Sequence, residues 1–271
     1  MYPQLFHFKT PGFFPDFFPD YVSLYSYGFF IALGVLVSFW FVLKRAKALG
    51  VSSDQLANLY MFCIVAGFVG GKLFYYLEDW AKYMAHPKLM LEVTGGGFVF
   101  YGSLIFVTPT IVLWLKARSI AVRPFMDVVA FIGPIIQGIG RVGCLMAGCC
   151  HGRVCDSILG ISFSHPLSKA QPLNVPLYPT QIFDALINAA IIIFLLWLEK
   201  RQRFSGQLVL TYLALYAIGR SINEEFRGDE ARGFVFDGCL SHSQLIAAII
   251  FIFCCFFWWK WSKQERQIAS I

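Results

Sequence analysis

Apolar and polar residues alternate along this chain in long blocks, and seven apolar stretches are separated by shorter polar or basic segments. The stretches cover about residues 22–43, 54–77, a third stretch ending near 115, 124–147, 179–198, 207–222 and 243–259. A membrane-spanning helix needs about 20 predominantly apolar residues. The pattern therefore predicts an all-α polytopic membrane protein with about seven transmembrane helices.

The composition supports a membrane protein, since 58% of the residues are hydrophobic and only 14% are charged. Soluble domains carry roughly 25% charged residues. A chain of 271 residues accommodates about six to eight spans with their loops, so we expect one transmembrane domain over residues 1–271. The net charge of +6 does not indicate a nucleic-acid partner, because the basic residues occur in short clusters between the spans.

The basic clusters predict the orientation of the chain. Three Lys or Arg residues follow each of the first, third, fifth and seventh spans, so these loops hold twelve of the 22 basic residues. Loops rich in Lys and Arg stay in the cytoplasm, which predicts an outside N-terminus and a cytoplasmic C-terminus. Residues 148–178 are then a small extracytoplasmic segment on the same outer face as Arg141 and Tyr101.

The N-terminal arm lacks the basic region of a cleavable signal peptide, so we expect the first span to act as an uncleaved insertion signal. Within the arm, Phe-Phe-Pro-Asp occurs twice, at residues 13–16 and 17–20. Aromatic residues suit the membrane–water interface, where we expect the arm to lie.

The run Gly138-Ile-Gly-Arg141-Val-Gly143 places an arginine late in the fourth span. Its glycine spacing matches a dinucleotide-binding fingerprint, but that fingerprint requires a preceding strand, so we reject it. Helix packing through small residues is the structural alternative. A guanidinium within a membrane is costly and rarely persists without an anionic partner, so Arg141 indicates an anion at this place.

A second arginine lies in the sixth span, on a helix face that is polar over its whole length. The face is formed by Tyr216, Arg220, Asn223, Glu224 and Arg227. A purely structural Arg220–Glu224 pair is one interpretation. The other is that Arg141 and Arg220 share one anion, because a guanidinium binds phosphate bidentately and stays charged. A phospholipid headgroup is the anion that a membrane offers.

Other polar or small residues of the spans are better explained by helix packing. Gln181, Asp184 and Asn188 share one face of the fifth span, where we expect them to hold helices together. Asp127 in the fourth span is also expected to be structural. Small residues in the second span predict close helix packing, and they are Gly67, Gly70 and Gly71.

Five of the eight cysteines fall on the predicted outer side, namely Cys144, Cys149, Cys150, Cys155 and Cys239. Disulfides are permitted there, and one or two disulfides are the expectation, with inert thiols and a metal-binding or catalytic thiol as alternatives. Cys149-Cys150-His151 is not a haem-attachment motif, and the spacing meets no zinc pattern. We therefore predict neither a metal nor a cofactor.

The stretch Gly140-Arg141-Val-Gly143-Cys144, with Gly148, Cys149 and Gly152, resembles the signature G-R-x-G-N-x-x-N-G-E-x-x-G of bacterial prolipoprotein diacylglyceryl transferases. The family's Tyr-Gly, G-G-x-x-F-H-G-G-L, H-P-S-Q and Y-x-x-x-R-x-x-x-E-x-x-R motifs have counterparts in the same order. These counterparts are Tyr27-Gly28, the run from Gly95 to Leu104, Tyr178-Pro-Thr-Gln181 and the stripe from Tyr216 to Arg227. The family's seven spans and outside N-terminus agree with the predicted topology.

The resemblance implies which residues act. The implied catalytic residues are Arg141, Arg220, Tyr101 and His151, and the implied substrate-binding residues are Tyr27, Gly102, Cys144, Gly152, Tyr216 and Glu224. The chain departs from the family in three places, since the family's histidine is Tyr101 here, its asparagine is Cys144 and its glutamate is Cys149. Tyr101 and His151 are accordingly alternative candidates for the general base.

The implied reaction moves diacylglyceryl from phosphatidylglycerol to the lipobox cysteine thiol in the signal peptide of a prolipoprotein. It places the protein in the bacterial inner membrane, among membrane lipids, with its active site toward the outer leaflet. The altered motif leaves two alternatives: a related membrane transferase with a different acceptor, and a catalytically silent lipid-binding protein on the same fold.

Overall fold

The structure is a computed structural model, and it describes residues 2–9, 21–86, 89–90, 97–228, 234–235 and 240–269. The contacts divide the chain into two units, one of Met1–Val42 with Met126–Ile271 and one of Leu43–Phe125. Each unit has its own helix packing.

Eight α-helices make up most of the described chain. They are α1 (Ser26–Ala48), α2 (Ser53–Glu78), α3 (Trp80–Ala85), α4 (Phe100–Ala117), α5 (Val122–Ala147), α6 (Thr180–Glu199), α7 (Gln207–Glu224) and α8 (His242–Ala269). In the described residues, six helices are long and apolar enough to cross a membrane, namely α1, α2, α4, α5, α6 and α8. The prediction of an all-α polytopic membrane protein is confirmed. Because α7 carries Arg220, Asn223 and Glu224 it is more polar than the others, and a seventh span stays a prediction.

Two helices differ from the predicted spans at one end. α1 begins later than predicted because Tyr21–Tyr25 forms strand β2, which pairs antiparallel with β1 (Gln4–Lys9). α8 continues to Ala269, well past the predicted end near residue 259. The added residues are rich in Lys, Gln, Glu and Arg, which favour helix without being apolar. The two Phe-Phe-Pro-Asp repeats lie outside the described residues.

In the unit Leu43–Phe125, α2 and α4 pack so closely that their backbones touch. A side chain on Gly70 would meet the carbonyl oxygen of Gly102 and come within 2.8 Å of the Phe106 ring. The Ser103 hydroxyl donates a hydrogen bond to the carbonyl oxygen of Gly67 at 2.8 Å. The predicted packing through small residues of the second span is confirmed, and Gly102 has a structural reason to be glycine.

In the other unit, α5 is packed on two sides through the glycines around Arg141. A Cβ on Gly138 would lie 3.4 Å from the Cβ of Asn188 on α6, and one on Gly143 would lie 3.1 Å from the Cα of Tyr27 on α1. The whole motif lies inside helix α5, without the preceding strand of a dinucleotide-binding turn. The glycines therefore do serve helix packing, and they bring α1 and α6 against the helix that carries the arginine.

Asp127 fixes the start of α7. Its carboxylate accepts hydrogen bonds from the backbone N–H groups of Gly206 at 2.6 Å and Val209 at 3.0 Å, and from the side-chain amide of Gln202 at 2.5 Å. The first N–H groups of a helix have no partner within the helix, and a carboxylate there is also favoured by the helix dipole. The structural role predicted for Asp127 is confirmed.

Residues 148–178 form a compact segment with a small core of its own. The strands of the described chain make three antiparallel hairpins: β1 with β2, β3 (Ile161–Ser162) with β4 (Pro176–Leu177), and β5 (Phe234–Val235) with β6 (Leu240–Ser241). The side chains of Phe163, Ala170 and Leu177 are buried together, and Leu145 near the end of α5 packs against them. This core anchors the segment to the helix that carries Arg141.

Removal of the Asp127 carboxylate should destabilise the protein. Asp127→Ala leaves two buried N–H groups at the start of α7 without an acceptor, at about 1–3 kcal/mol for each buried group. The expected result is a clearly lower midpoint of thermal unfolding in detergent. Asp79→Ala is the matched control, because the Asp79–Lys82 pair is exposed and 3.9 Å long, and such pairs contribute little. Equal midpoints for the two variants would show that Asp127 does not hold α7.

Candidate active site

Arg141 lies in the last two turns of α5 and forms an ion pair with Asp184 on α6. The Arg141 Nε lies 2.9 Å from the Asp184 Oδ2, and the two side chains are 21% and 5% exposed. Asp184 thus balances the cation that the sequence placed in the fourth span. The expectation that polar residues of the fifth span hold helices together is confirmed at this position. The pairing of Asp184 with Arg141 could not be predicted, because the two residues are distant along the chain.

The ion pair leaves the rest of the guanidinium fork available for a ligand. Asp184 contacts Nε, which is one edge of the group. Arginine presents five N–H donors in a planar fork that matches a phosphate or carboxylate. Arg141 keeps about a fifth of its side chain exposed while Asp184 holds it in place.

Arg220 is paired within α7. Its Nη1 lies 2.5 Å from the Glu224 Oε2, and the Glu224 side chain is almost completely buried. The next residue back, Asn223, donates a hydrogen bond to the carbonyl oxygen of Thr180 at the start of α6. The Arg220–Glu224 pair considered in the sequence analysis therefore forms. Tyr216 lies close enough to Arg141 to act on it electrostatically, so the stripe faces the α5 arginine.

Three thiols converge where α5 ends. The sulfur atoms of Cys144, Cys149 and Cys150 all lie within 4.8 Å of one another. The chain reverses here through two residues with positive φ, Gly148 at 75° and Cys150 at 59°. Left-handed backbone is unusual for a residue with a side chain, so Cys150 is held in this conformation by its surroundings.

The first residues of α6 form hydrogen bonds with the turn at Cys149 and Cys150. The Thr180 hydroxyl donates to the carbonyl oxygen of Cys150 at 2.6 Å, and the Gln181 side-chain amide donates to the carbonyl oxygen of Cys149 at 2.7 Å. Hydrogen bonds with the Cys144 and Cys149 thiols and the nearby guanidinium groups lower the pKa of the Cys150 thiol, although burial opposes this. Thr180 and Gln181 both belong to the counterpart of the H-P-S-Q motif, and Gln181 was also predicted to hold helices together. No role at Cys149 and Cys150 was predicted from the sequence for either residue.

The predicted disulfides are wrong for the cysteines that the structure describes. Cys144, Cys149, Cys150 and Cys155 are all thiols, and Cys239 lies outside the described residues. The Cys155 sulfur lies 3.1 Å from the Ser157 hydroxyl instead of near another cysteine. Burial of Cys155 opposes its ionisation, but hydrogen bonds with Ser157 and Tyr178 outweigh burial and lower its pKa.

His151 ties the outer segment together through both ring nitrogens. Its Nδ1 lies 2.9 Å from the carbonyl oxygen of Gly152, and its Nε2 accepts from the backbone N–H of Gln171 at 3.4 Å. The ring also lies beside Phe163, with the ring centroids 6.4 Å apart. To take a proton at Nε2, the imidazole would first have to release Gln171.

Gly152 is enclosed on every side. Its N–H donates to the carbonyl oxygen of Tyr178 at 2.8 Å, and it forms a β-bridge with Arg227 just after α7. A Cβ at this position would lie 2.6 Å from the Tyr178 Cβ and would also meet the carbonyl oxygen of Phe226. Gly152 therefore joins the outer segment to the end of the α7 stripe.

Three candidate residues remain, namely Tyr27, Tyr101 and Gly102. Tyr27 lies in the first turn of α1 beside Gly143 of α5, and its side chain is 48% exposed. Tyr101 and Gly102 belong to the unit Leu43–Phe125. Tyr101 is 47% exposed in the first turn of α4, and Gly102 packs against Gly70 as described above.

Comparison with known proteins decides the family. The family model described as prolipoprotein diacylglyceryl transferase matches residues 17–260. The chain belongs to the prolipoprotein diacylglyceryl transferase family. A phosphatidylglycerol–prolipoprotein diacylglyceryl transferase 2 of Clostridium perfringens (strain 13) is 38% identical over 85% of this chain and 88% of that protein. Phosphatidylglycerol–prolipoprotein diacylglyceryl transferases of Clostridium tetani and Clostridioides difficile are 35% and 27% identical, over 85% and 77% of this chain and 90% and 80% of their own lengths.

Loss of one member of the Arg141–Asp184 pair should destabilise the protein more than replacement of both members. Asp184→Asn leaves the guanidinium without its charge partner, and breaking a buried pair costs about 3–5 kcal/mol. The midpoint of thermal unfolding should therefore fall. Because apolar residues of similar size can replace a buried pair, the double variant Arg141→Met, Asp184→Leu should recover most of the loss. A wild-type midpoint for Asp184→Asn would show that the pair does not hold α5 against α6.

Proposed function

We propose that this protein is a phosphatidylglycerol:prolipoprotein diacylglyceryl transferase of the bacterial inner membrane, with its active site toward the outer leaflet. The observation that carries the proposal is a pair of arginines, each set in place by a buried carboxylate on a helix of one unit. The activity in the names of its relatives supports the same reaction class. The donor is then phosphatidylglycerol, and the acceptor is the lipobox cysteine of a prolipoprotein signal peptide.

The chemistry is an alkyl transfer. The acceptor thiolate attacks the glyceryl carbon, the bond from that carbon to the phosphate oxygen breaks, and glycerol phosphate leaves with the electron pair. Negative charge therefore grows on the phosphate as the bond breaks. Fixed positive groups aimed at that charge stabilise the transition state without reorganising, and Arg141 and Arg220 supply them.

The other residues of the site shape the place where the substrates lie. Tyr216 and Tyr27 offer phenol groups near Arg141, and Cys144 lines the end of α5. Glu224 acts by setting the Arg220 side chain, and Gly152 by letting the outer segment close against the α7 stripe. Tyr101 and Gly102 belong to the unit Leu43–Phe125, and only the resemblance of their motif to the family's makes them candidates.

A related transferase with a different acceptor is the second candidate, and the proton-accepting residue is what favours it. Tyr101 carries a phenol where the family has an imidazole, and a phenol offers no ring nitrogen to accept a proton. His151, the alternative base, has both ring nitrogens engaged by the backbone. A catalytically silent lipid-binding protein remains the third interpretation, and an activity assay separates the three.

The proposed orientation can be tested with a matched pair of single cysteines. Ile158 is fully exposed in the outer segment, and Gln267 is exposed near the end of α8. In spheroplasts, a membrane-impermeant maleimide should label Ile158→Cys and should label Gln267→Cys only after permeabilisation. The wild-type protein measures the background from native thiols. Labelling of Gln267→Cys in intact spheroplasts would contradict the orientation.

The transferase activity and the role of Arg141 can be tested together. Purified protein should transfer diacylglyceryl from phosphatidylglycerol to a synthetic lipobox peptide. Lysine keeps the charge but loses the planar fork, so Arg141→Lys should still bind phosphatidylglycerol yet lose turnover by about 100-fold or more, the size of effect seen when one preorganised donor is removed.

Arg141→Gln removes the charge as well and should lose both binding and turnover. Variants should be compared at matched thermal stability, because Asp184 is left without a partner in Arg141→Gln. Wild-type turnover of Arg141→Gln would show that Arg141 is structural. Failure of the unaltered protein on the lipobox peptide, with phosphatidylglycerol bound, would favour another acceptor.

A further inference from the structure

We propose that Cys144, Cys149 and Cys150 bind one zinc ion as thiolates, and that the fourth position of this ion takes the acceptor thiol. The zinc site itself does not depend on the proposed function, whereas the role of its fourth position rests on the proposed alkyl transfer to a thiol. This proposal departs from the expectation that the sequence contains no metal site.

The distances suit a single metal ion. The three sulfur atoms lie within 4.8 Å of one another. Zn–S bonds are about 2.3 Å, so sulfurs of a tetrahedral site lie roughly 3.8 Å apart. Small rotations of the three side chains close this difference, and no backbone segment has to move.

The scaffold around the thiols is built before any metal arrives. Thr180 and Gln181 hold the carbonyl groups of two of the cysteines by short hydrogen bonds. The turn between α5 and the outer segment uses the positive φ angles of Gly148 and Cys150. A site whose ligands are positioned by a second set of fixed groups is preorganised for binding.

The number of ligands, three, is that of a catalytic zinc ion. Thiolates select soft cations such as Zn²⁺ and Cu⁺, and catalytic zinc keeps three protein ligands with an open fourth position. Within the described residues, no histidine nitrogen or carboxylate joins the three sulfurs. Cys144 is buried, but Cys149 and Cys150 are partly exposed, so the open position faces the accessible side.

The charges around the cluster also fit. Zn²⁺ with three thiolates has a net charge of −1, and a fourth thiolate makes it −2. The guanidinium groups of Arg141 and Arg227 lie close enough to Cys150 to stabilise negative charge on it. The arginine that is proposed to hold the donor phosphate is thus also beside the proposed zinc site.

Zinc would perform the deprotonation for which Tyr101 and His151 are poorly suited. A thiol that binds Zn²⁺ loses its proton, and here that proton passes to water. The zinc-bound sulfur then attacks the glyceryl carbon, a C–S bond forms, and the C–O bond to the phosphate breaks. Glycerol phosphate leaves with the electron pair and takes up a proton from water, and the thioether product dissociates from zinc because it is neutral.

Metal content of the purified, full-length protein tests the site without any assay of activity. After zinc reconstitution and removal of loosely bound metal, mass spectrometry should find about one zinc per chain, as for a site of three thiolates. Cys149→Ser and Cys144→Ser should lose most of it. Cys155→Ser is the matched control, because it removes a nearby buried thiol outside the cluster, and it should keep its zinc.

Three results would overturn the zinc site. They are wild-type protein without stoichiometric zinc, equal zinc in Cys149→Ser and the wild type, and a parallel reconstitution that gives tight Cu⁺ binding but no zinc. Cobalt is the probe for the open position, since Co²⁺ in place of zinc gives thiolate charge-transfer absorption whose strength reports the number of bound sulfurs.

A lipobox peptide added to the cobalt protein should increase that absorption by about a third, from three thiolates to four, and the same peptide with serine for cysteine should not. An unchanged spectrum with the cysteine peptide would overturn the acceptor role of the metal. An increased spectrum without transfer of diacylglyceryl would leave the zinc site standing and count against the proposed function alone.

Discussion

Charge balance inside a helix bundle is the constraint on which the site depends. An arginine in a membrane span persists only with a partner, and here each arginine has a carboxylate, Asp184 for Arg141 and Glu224 for Arg220. The Arg141 pair requires α5 and α6 to approach closely, and Gly138 permits this by leaving room for Asn188. The same close approach of α5 and α6 thus satisfies both the packing of the helices and the pairing of the charges. Since a buried pair contributes little net stability and is costly to break, the pairs are better understood as devices that fix two cations in position than as sources of stability.

At the end of α5, the arginine and the thiols come together in one candidate site. Its last two turns carry the arginine and the first thiol, and the next residues reverse direction through Gly148 and Cys150. The outer segment has its own small core and is joined to the end of α7 at Gly152. Three helices and one segment therefore meet at the same turn. A substrate bound there would touch groups whose positions are set by backbone hydrogen bonds, which is what a preorganised site requires.

The helices could be predicted from the sequence because apolar stretches of sufficient length have one stable form in lipid. The two arginines were found for the same reason, since a charge is conspicuous in such a stretch. What could not be predicted depends on contacts between distant residues. Asp184 follows Arg141 by more than forty positions. The disulfide prediction was wrong for the described cysteines because an outer location permits a disulfide without bringing two sulfurs into bonding geometry.

The exchange of a histidine, an asparagine and a glutamate for Tyr101, Cys144 and Cys149 has a chemical logic if the site still alkylates a thiol. An imidazole makes the nucleophile by accepting its proton, so the rate depends on the pKa of that base. A metal ion makes the nucleophile by coordinating it, and the thiolate fraction then depends on metal affinity. The two solutions need different residues: one needs a base within reach of the acceptor, and the other needs three soft ligands beside it. The donor half of the reaction is unchanged by this exchange, because a leaving phosphate needs positive charge in either case. That is consistent with a chain in which Arg141, Arg220 and Glu224 match the family's motifs while two of its other polar positions are cysteines.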